Sequence, residues 1–514
     1  MKDARAFVTD YRDRLVKLLP AIDLAKVAEA IRHRQDASSL LTDLYRRHDE
    51  LADAQRAGGA AASGESAADL DKQITEAQAE LADADAALQA ASPNYGQLVQ
   101  QVVPAAAVFA VLHPNEAFAA MALGKDDGWV FLLRNGSITV SKIDRGLQEI
   151  AGLVRRVRAG IEQTNPTSLP EFDIADAQTL YQLTLGGVAA SLEGVKTLVV
   201  APAGPLLSLP FEVLLTGPAD RANLADAPWL VRKFTLTHVP APSNFVSLRK
   251  IAGGSRASRP WFGFGDFHPV TLAQAQKSFP GPACAESAKL LASLPVLPGA
   301  HKELDAARQL LDANAVDELL GPAFTAHAVL AEHLKDYRIL QFSTHALLPA
   351  ELRCQAEPAI VTSVPPNATD ASGALLTASQ VVGLDLDADL VILSACNSGG
   401  PGGTTAGESL SGLARAFFYA GARSLMVTHW SVNDQVAAFL VADTLRRMKE
   451  NPALGVAAAL RDAQLAILAD AGRSLPAEIA HPFFWAPFAV IGEGGGRAPM
   501  AAQAREPVRN LAGL

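Results

Sequence analysis

The chain has 514 residues, room for about three domains by the usual length relation, and its 49% hydrophobic and 19% charged residues are a globular rather than a disordered composition. Its 44 basic and 54 acidic residues leave a formal net charge of -10 with no dense Lys/Arg run, which argues against electrostatic capture of nucleic acid or of an anionic membrane. Residues 1–20 alternate charged with apolar side chains and lack the apolar run of a signal peptide. No apolar stretch reaches the ~20 residues that span a bilayer, so a cytoplasmic location is expected. The three cysteines, Cys284, Cys354 and Cys396, include no CxxC pair and are odd in number. They suggest neither a zinc site nor a disulfide framework, which leaves a reactive thiol as the chemical use to test.

In chain order, residues 2–56 show helical spacing, with Phe7, Tyr11, Leu15, Leu18 and Leu19 followed by Leu40, Leu41 and Leu44. A break at Gly58, Gly59, Ser63, Gly64 and Ser66 precedes an alanine-rich, charged helix expected from Ala67 to Ala91, ended by Ser92 and Pro93. Residues 1–92 therefore read as a helical hairpin or short bundle. Strands are expected at Ala117–Leu123, Trp129–Leu133 and Ser137–Ile143, the last two joined by Asn135-Gly136, since both central residues of a tight type I′ turn need positive φ. A helix over Leu147–Ile161 and an apolar strand Thr197–Ala201 complete a smaller α/β unit over 93–250.

Beyond the basic stretch Arg249–Arg259, apolar runs at Trp261–Phe264, Arg338–Thr344, Leu390–Ala395, Ser424–Thr428 and Phe488–Ile491 alternate with amphipathic helices over 251–495. Such alternation predicts an α/β fold with a mostly parallel sheet and helices on both faces. The tail, 496–514, rich in Gly, Ala and Arg, reads as disordered.

Two of these strands end in a chemically useful residue. Arg338–Thr344 stops at His345 and Asp389–Ala395 stops at Cys396, 51 positions later. Ligands of open α/β sheets bind beyond the carboxyl ends of the strands, so neighbouring strands would put both residues in one crevice. A free thiol is only a few per cent thiolate at pH 7, and an adjacent imidazole would activate it and then protonate the leaving amine. The loop Asn397–Gly403 has little side-chain bulk, and the backbone N–H groups of Cys396 and Ala346 suit an oxyanion hole. Spacing by itself is weak evidence and leaves a buried core thiol and a satisfied core histidine open. The glycine-rich run 399–407 lacks the Gly-Lys-Ser/Thr ending of a phosphate loop, so nucleotide binding is not expected.

The strings LQFSTHA, GALLTASQVVGLDLDADLVILSACNSG, GESLSGLARAFFYAGARSLMVTHWSVND and HPFFWAPFAVIG resemble the signatures of CHAT-domain peptidases, relatives of caspases and separases. With the weaker segment LVVAPAGPLLSLPFEVLL, the resemblance runs from about Ser92 to Gly494. It implies a caspase-like sheet, His345 as catalytic histidine, Cys396 as nucleophile, and peptide hydrolysis through a thioester acyl-enzyme with no metal or organic cofactor. The family often has glycine where this chain has Ala346, which matters only if that residue needs positive φ. Trp430–Asp434 looks like the Trp-x-Val-x-Asp stretch that helps separases bind an arginine before the scissile bond. This implies a basic P1 side chain held by Asp434, with Asp266 a second candidate for the pocket. The competing role for Asp434 is to cap the following helix.

Other residues read as structural: Ser409–Ala420 as a helix closed by Gly421, Glu408 as its cap or an orderer of the loop, and His429 and His481 as packed beside strand and aromatic segment. The upstream unit, with no His/Cys pair at strand ends, is expected to be a non-catalytic, pseudo-protease layer. The N-terminal helices are expected to dock an activator protein. The expected partner is otherwise a protein or peptide substrate, with no nucleic acid and no membrane. The competing function is a catalytically silent caspase-fold scaffold or signalling module; acyl transfer to a small molecule would use the same dyad.

Overall fold

The nine strands expected from short apolar runs all form in this computed structural model, and two that were not expected, Thr235–His238 and Glu318–Leu320, join them in the large sheet. The structure describes residues 103–162, 169–250, 254–347, 354–355, 357–394, 404–430 and 434–495, with Leu44 and part of 66–83; of 404–411 and 434 only the backbone is described. The chain divides into two compact units, Met1–Val99 and Gln100–Leu514. In the first, the described residues from 68 to 83 are helical and Ser66 Oγ accepts from the Asp69 amide, which caps that helix. The rest of the expected helical hairpin, and the tail 496–514, lie outside the described residues.

The second unit holds β1 (Glu116–Leu123), β2 (Gly128–Arg134), β3 (Ser137–Ile143), β4 (Thr197–Ala201), β5 (Thr235–His238), β6 (Arg259–Gly265), β7 (Glu318–Leu320), β8 (Tyr337–Ser343), β9 (Ala346–Leu347), β10 (Ala359–Val361), β11 (Leu375–Thr377), β12 (Leu390–Ser394), β13 (Ser424–Thr428) and β14 (Phe488–Gly492). Eleven of them form one sheet in the order β3-β2-β1-β4-β5-β14-β13-β12-β8-β6-β7, and β11-β10-β9 form a small second sheet. Seven of the ten pairings in the large sheet are parallel. Residues 93–250 and 251–495 thus contribute to a single sheet, joined where β5 pairs with β14 through His238 and Ile491. The tight hairpin is present, with Asn135 at φ 49° and Gly136 at φ 76°.

The principal helices are α1 (Leu147–Ala159), α2 (Ile174–Thr184), α3 (Pro242–Lys250), α4 (Pro298–Leu310), α5 (Thr404–Ala420), α6 (Asp434–Glu450) and α7 (Val456–Asp470). Because both faces of the central sheet are covered, successive residues of a central strand are buried: on β12, Leu390 and Ile392 join one core while Val391 and Leu393 join the other. Leu304 and Ala307 of α4 pack on the first face with Trp261 and Ile339. Phe264, Phe342 and Phe417 pack on the second, with Phe264 and Phe342 stacked at 4.4 Å. The helix expected from Ser409 begins a turn earlier, at Thr404, so Glu408 sits within α5 instead of capping it. Gly421 closes it at φ 118°, where a Cβ would lie 2.1 Å from the Leu386 carbonyl oxygen.

Two features were not foreseen. Cys284 and Cys354 form a disulfide across 70 positions, with Cα atoms 5.7 Å apart. The expectation of no disulfide fails because an odd count forbids complete pairing and not a single bridge. Replacing both cysteines by alanine is expected to lower unfolding free energy by about 2–4 kcal/mol through restored loop entropy, measurable as a lower urea midpoint. The second feature is a buried Glu212–His238 pair, with Oε2 3.9 Å from Nε2. Burial pushes the Glu212 carboxyl up to about 8 and the His238 imidazole down to about 4, so both are neutral at pH 7. A carboxyl raised in the folded state stabilises fully below its unfolded value and loses that contribution as pH rises through about 8. Glu212→Gln is therefore expected to match the wild type near pH 4.5 and to be more stable by roughly a few kcal/mol at pH 9, read from denaturant midpoints at the two pH values.

Candidate active site

The carboxyl ends of β8 and β12 lie side by side because the two strands are parallel neighbours, with Ser343 opposite Ser394. The Thr344 amide donates to the Ser394 carbonyl at 3.2 Å, the last rung between them among the described residues. His345 follows two residues after Ser343. Cys396, two residues after Ser394, lies outside the described residues.

His345 is buried, 6% exposed. The edge of its ring meets Phe267 at 5.3 Å and 84°, and its Nε2 lies 2.8 Å from the Pro295 carbonyl oxygen. A carbonyl can only accept, so Nε2 carries the proton and Nδ1 is left as the basic nitrogen. Burial lowers the His345 pKa below the usual 6.5, and the Pro295 bond offsets this in part. The ring is therefore neutral at pH 7 and able to accept a proton.

Ala346 enters β9, which pairs antiparallel with β10 through Ala346 and Ile360, while the Val361 amide donates to the His345 carbonyl at 2.8 Å. Positive φ among the described non-glycine residues occurs at Asn135, Asp266 and Asp312, so Ala346 is not strained by its side chain. Asp266 follows β6, the neighbour of β8, where Gly265 pairs with Ser343. It is exposed, at φ 54°. Asp434 is the first residue of α6, after β13. The sheet thus brings His345 and Asp266 to one edge, and the side chain of Asp434 lies outside the description.

Beneath the strand ends runs a polar network that the sequence did not disclose. Glu303 of α4 is 5% exposed. Its Oε1 accepts from Gln341 Nε2 and from Ser343 Oγ, both at 2.7 Å, and its Oε2 accepts from Ser394 Oγ at 2.9 Å. Trp261 Nε1 donates to Gln341 Oε1 at 2.9 Å. The two further histidines singled out in the sequence, His429 and His481, are held by structural contacts. His429 is buried and its carbonyl accepts from Arg158 Nη2 at 3.0 Å, while burial, Arg158 and His238 hold its imidazole well below the usual value. His481 caps the helix Pro482–Trp485 by accepting the Phe483 amide at Nδ1, 3.2 Å away. With Cys284 and Cys354 joined, Cys396 is the one cysteine of three outside that disulfide. Among the described residues there is no group of three or more His, Cys, Asp or Glu placed to hold a metal, and no helix long and apolar enough to cross a membrane.

An open, mostly parallel sheet flanked by helices, with a buried histidine leaving a central strand at its carboxyl end, defines an α/β protein of the kind expected from the motif strings. The chain belongs to the CHAT domain family, whose model matches residues 175–493. That match starts downstream of Ser92, where the resemblance was read to begin. A search of curated proteins finds no match. Solved structures similar to this chain include the Arg-specific cysteine proteinase gingipain R, at 8% identity and a TM-score of 0.35, covering 68% of this chain and 75% of that one. A complex of the Porphyromonas gingivalis RgpB pro- and mature domains has the same identity and TM-score and covers 68% and 76%. The Saccharomyces cerevisiae separase–securin complex is 10% identical with a TM-score of 0.32, and covers 89% of this chain but 27% of that one.

Proposed function

We propose that the chain is a cysteine endopeptidase that cleaves protein or peptide substrates with Cys396 as nucleophile and His345 as general base and acid. The observation that carries this reading is the parallel pairing of β8 and β12, with Ser343 opposite Ser394 and His345 two residues further on. Pro295 supports it by fixing the imidazole tautomer that leaves Nδ1 basic.

In the first step Nδ1 takes the thiol proton and sulfur adds to the scissile carbonyl, whose oxygen is held by the backbone N–H groups of Cys396 and Ala346. The C–N bond then breaks, the amine leaves with the proton from His345, and a thioester remains. Water, deprotonated by His345, cleaves the thioester and restores the thiol. No metal or organic cofactor takes part.

Asp434, helped by Asp266, selects a basic P1 side chain. Residues 251–495 form the catalytic part and 93–250 a non-catalytic layer, supported by the lack of cysteine in 93–250 and by a buried, neutral His238 at the end of β5. Residues 1–92 dock an activator. A cytoplasmic location stays with this proposal, and the Cys284–Cys354 bond is the observation against it, because disulfides persist chiefly in oxidising compartments.

The test is incubation of the chain and its Cys396→Ala variant with a mixed peptide library, reading cleavage sites by mass spectrometry. Cleavage after Arg or Lys that vanishes in the variant supports both nucleophile and pocket. Cleavage after other residues that vanishes in the variant retains Cys396 and discards the P1 assignment. Cleavage by neither protein points either to a latent protease that needs the activator docked by residues 1–92 or to a silent scaffold.

A further inference from the structure

We propose that Glu303 is a positioning residue of this site, clamping the ends of β8 and β12 so that His345 and Cys396 leave the sheet in a reactive register; this rests on the peptidase reading above. The carboxylate bonds both strands at once, and it does so at Ser343 and Ser394, which are opposite one another in the ladder. Each serine stands two residues before a member of the dyad. Side chains two apart on a strand share a face. His345 keeps that face, since its Nε2 meets Pro295, three residues before α4 begins. The stretch 295–303 therefore touches the site twice, once at the imidazole and once below both strand ends.

A buried carboxylate is a poor choice for stability alone. Its desolvation is costly, and a wholly apolar set in place of Glu303, Gln341 and the two serines would be cheaper. What the carboxylate supplies is geometry. Two oxygens fixed by covalent structure hold the two hydroxyls at a set separation, and Gln341, itself held by Trp261, keeps the carboxylate from rotating. Displacing a reacting group by roughly 1 Å costs about 10²-fold in rate.

The experiment uses the full chain with its disulfide intact and measures the second-order rate of Cys396 alkylation by iodoacetamide, together with the thermal midpoint. His345→Ala sets the rate of a thiol without its base, expected to be ~10-fold or more below the wild type. Glu303→Leu is expected to fall to that rate while still folded, with a lower midpoint because Gln341 Nε2, Ser343 Oγ and Ser394 Oγ lose their acceptor. Glu303→Gln, which keeps one acceptor oxygen, is expected between the two. A purely structural role lowers the midpoint and leaves the alkylation rate of the folded protein at the wild-type value. A wild-type rate, or a faster one, in a folded Glu303→Leu protein overturns the proposal. Should Glu303→Leu not fold, Ser343→Ala combined with Ser394→Ala replaces it, with the same expectation and the same overturning result. If the wild type and His345→Ala react alike, the dyad itself fails and Glu303 has no site to position, an outcome separated from the first by the wild-type rate.

Discussion

Cys396→Ala is expected to reduce peptide cleavage by at least about 10⁴-fold, and His345→Ala by about 10²–10⁴-fold, with the double variant no worse than Cys396→Ala. The non-additivity follows from the chemistry: without sulfur the base has nothing to deprotonate, and without the base sulfur stays a thiol. Initial rates on a fluorogenic form of a cleaved library peptide measure all three variants. The pH profile adds a signed expectation. His345 must be neutral to accept the thiol proton, and burial holds its pKa below 6.5. The acidic limb of kcat/KM is therefore expected below the ordinary histidine value and not above it. Additive effects of the two substitutions, or an unaltered rate in either, would remove the dyad.

Asp434→Ala is expected to lower kcat/KM for a P1 arginine peptide by about 10²–10³-fold and to leave a P1 methionine peptide within about twofold. An arginine entering a desolvated pocket without its carboxylate partner is left as an uncompensated charge, worth about 3–5 kcal/mol. If Asp434 only caps α6, the substitution instead costs about 1 kcal/mol of stability and treats both peptides alike. Asp266→Ala is expected to have the smaller effect because Asp266 is exposed, and water screens its field. Parallel assays with P1 Arg, Met and Asp peptides decide between pocket and cap.

The strand ends on which the proposed site rests were legible because their information is local. A strand ending in histidine and another ending in cysteine can be read from runs such as Arg338–Thr344 and Leu390–Ala395, because apolar continuity and the abrupt change at the strand end are both sequence-local signals. Asn135-Gly136 and Gly421 were legible for a related reason: a backbone at positive φ nearly dictates the residue type. Glu303 and Pro295 were not. Glu303 lies 40 positions from Ser343 and 91 from Ser394, and Pro295 lies 50 from His345, so no spacing rule links them. Glu303 also reads as one more charged residue on an amphipathic helix until the face of α4 that meets the sheet is known. The disulfide was hidden in the same way, since 70 intervening positions carry no trace of which cysteines meet.

By itself, then, the sequence determined nine of the eleven strands of the large sheet, the α/β class, the family and the two residues on which the chemistry is staked, because these rest on periodicity, turn chemistry and ordered motifs within a few dozen positions. Only the tertiary structure decided that β8 and β12 are parallel neighbours, that residues 93–250 and 251–495 share one sheet, that His345 is held neutral with Nδ1 basic, and that a buried carboxylate ties the two strand ends together. Those are properties of contacts between distant segments, and their energies are set by burial and by the direction of each donor and acceptor, which exist only once the chain is folded.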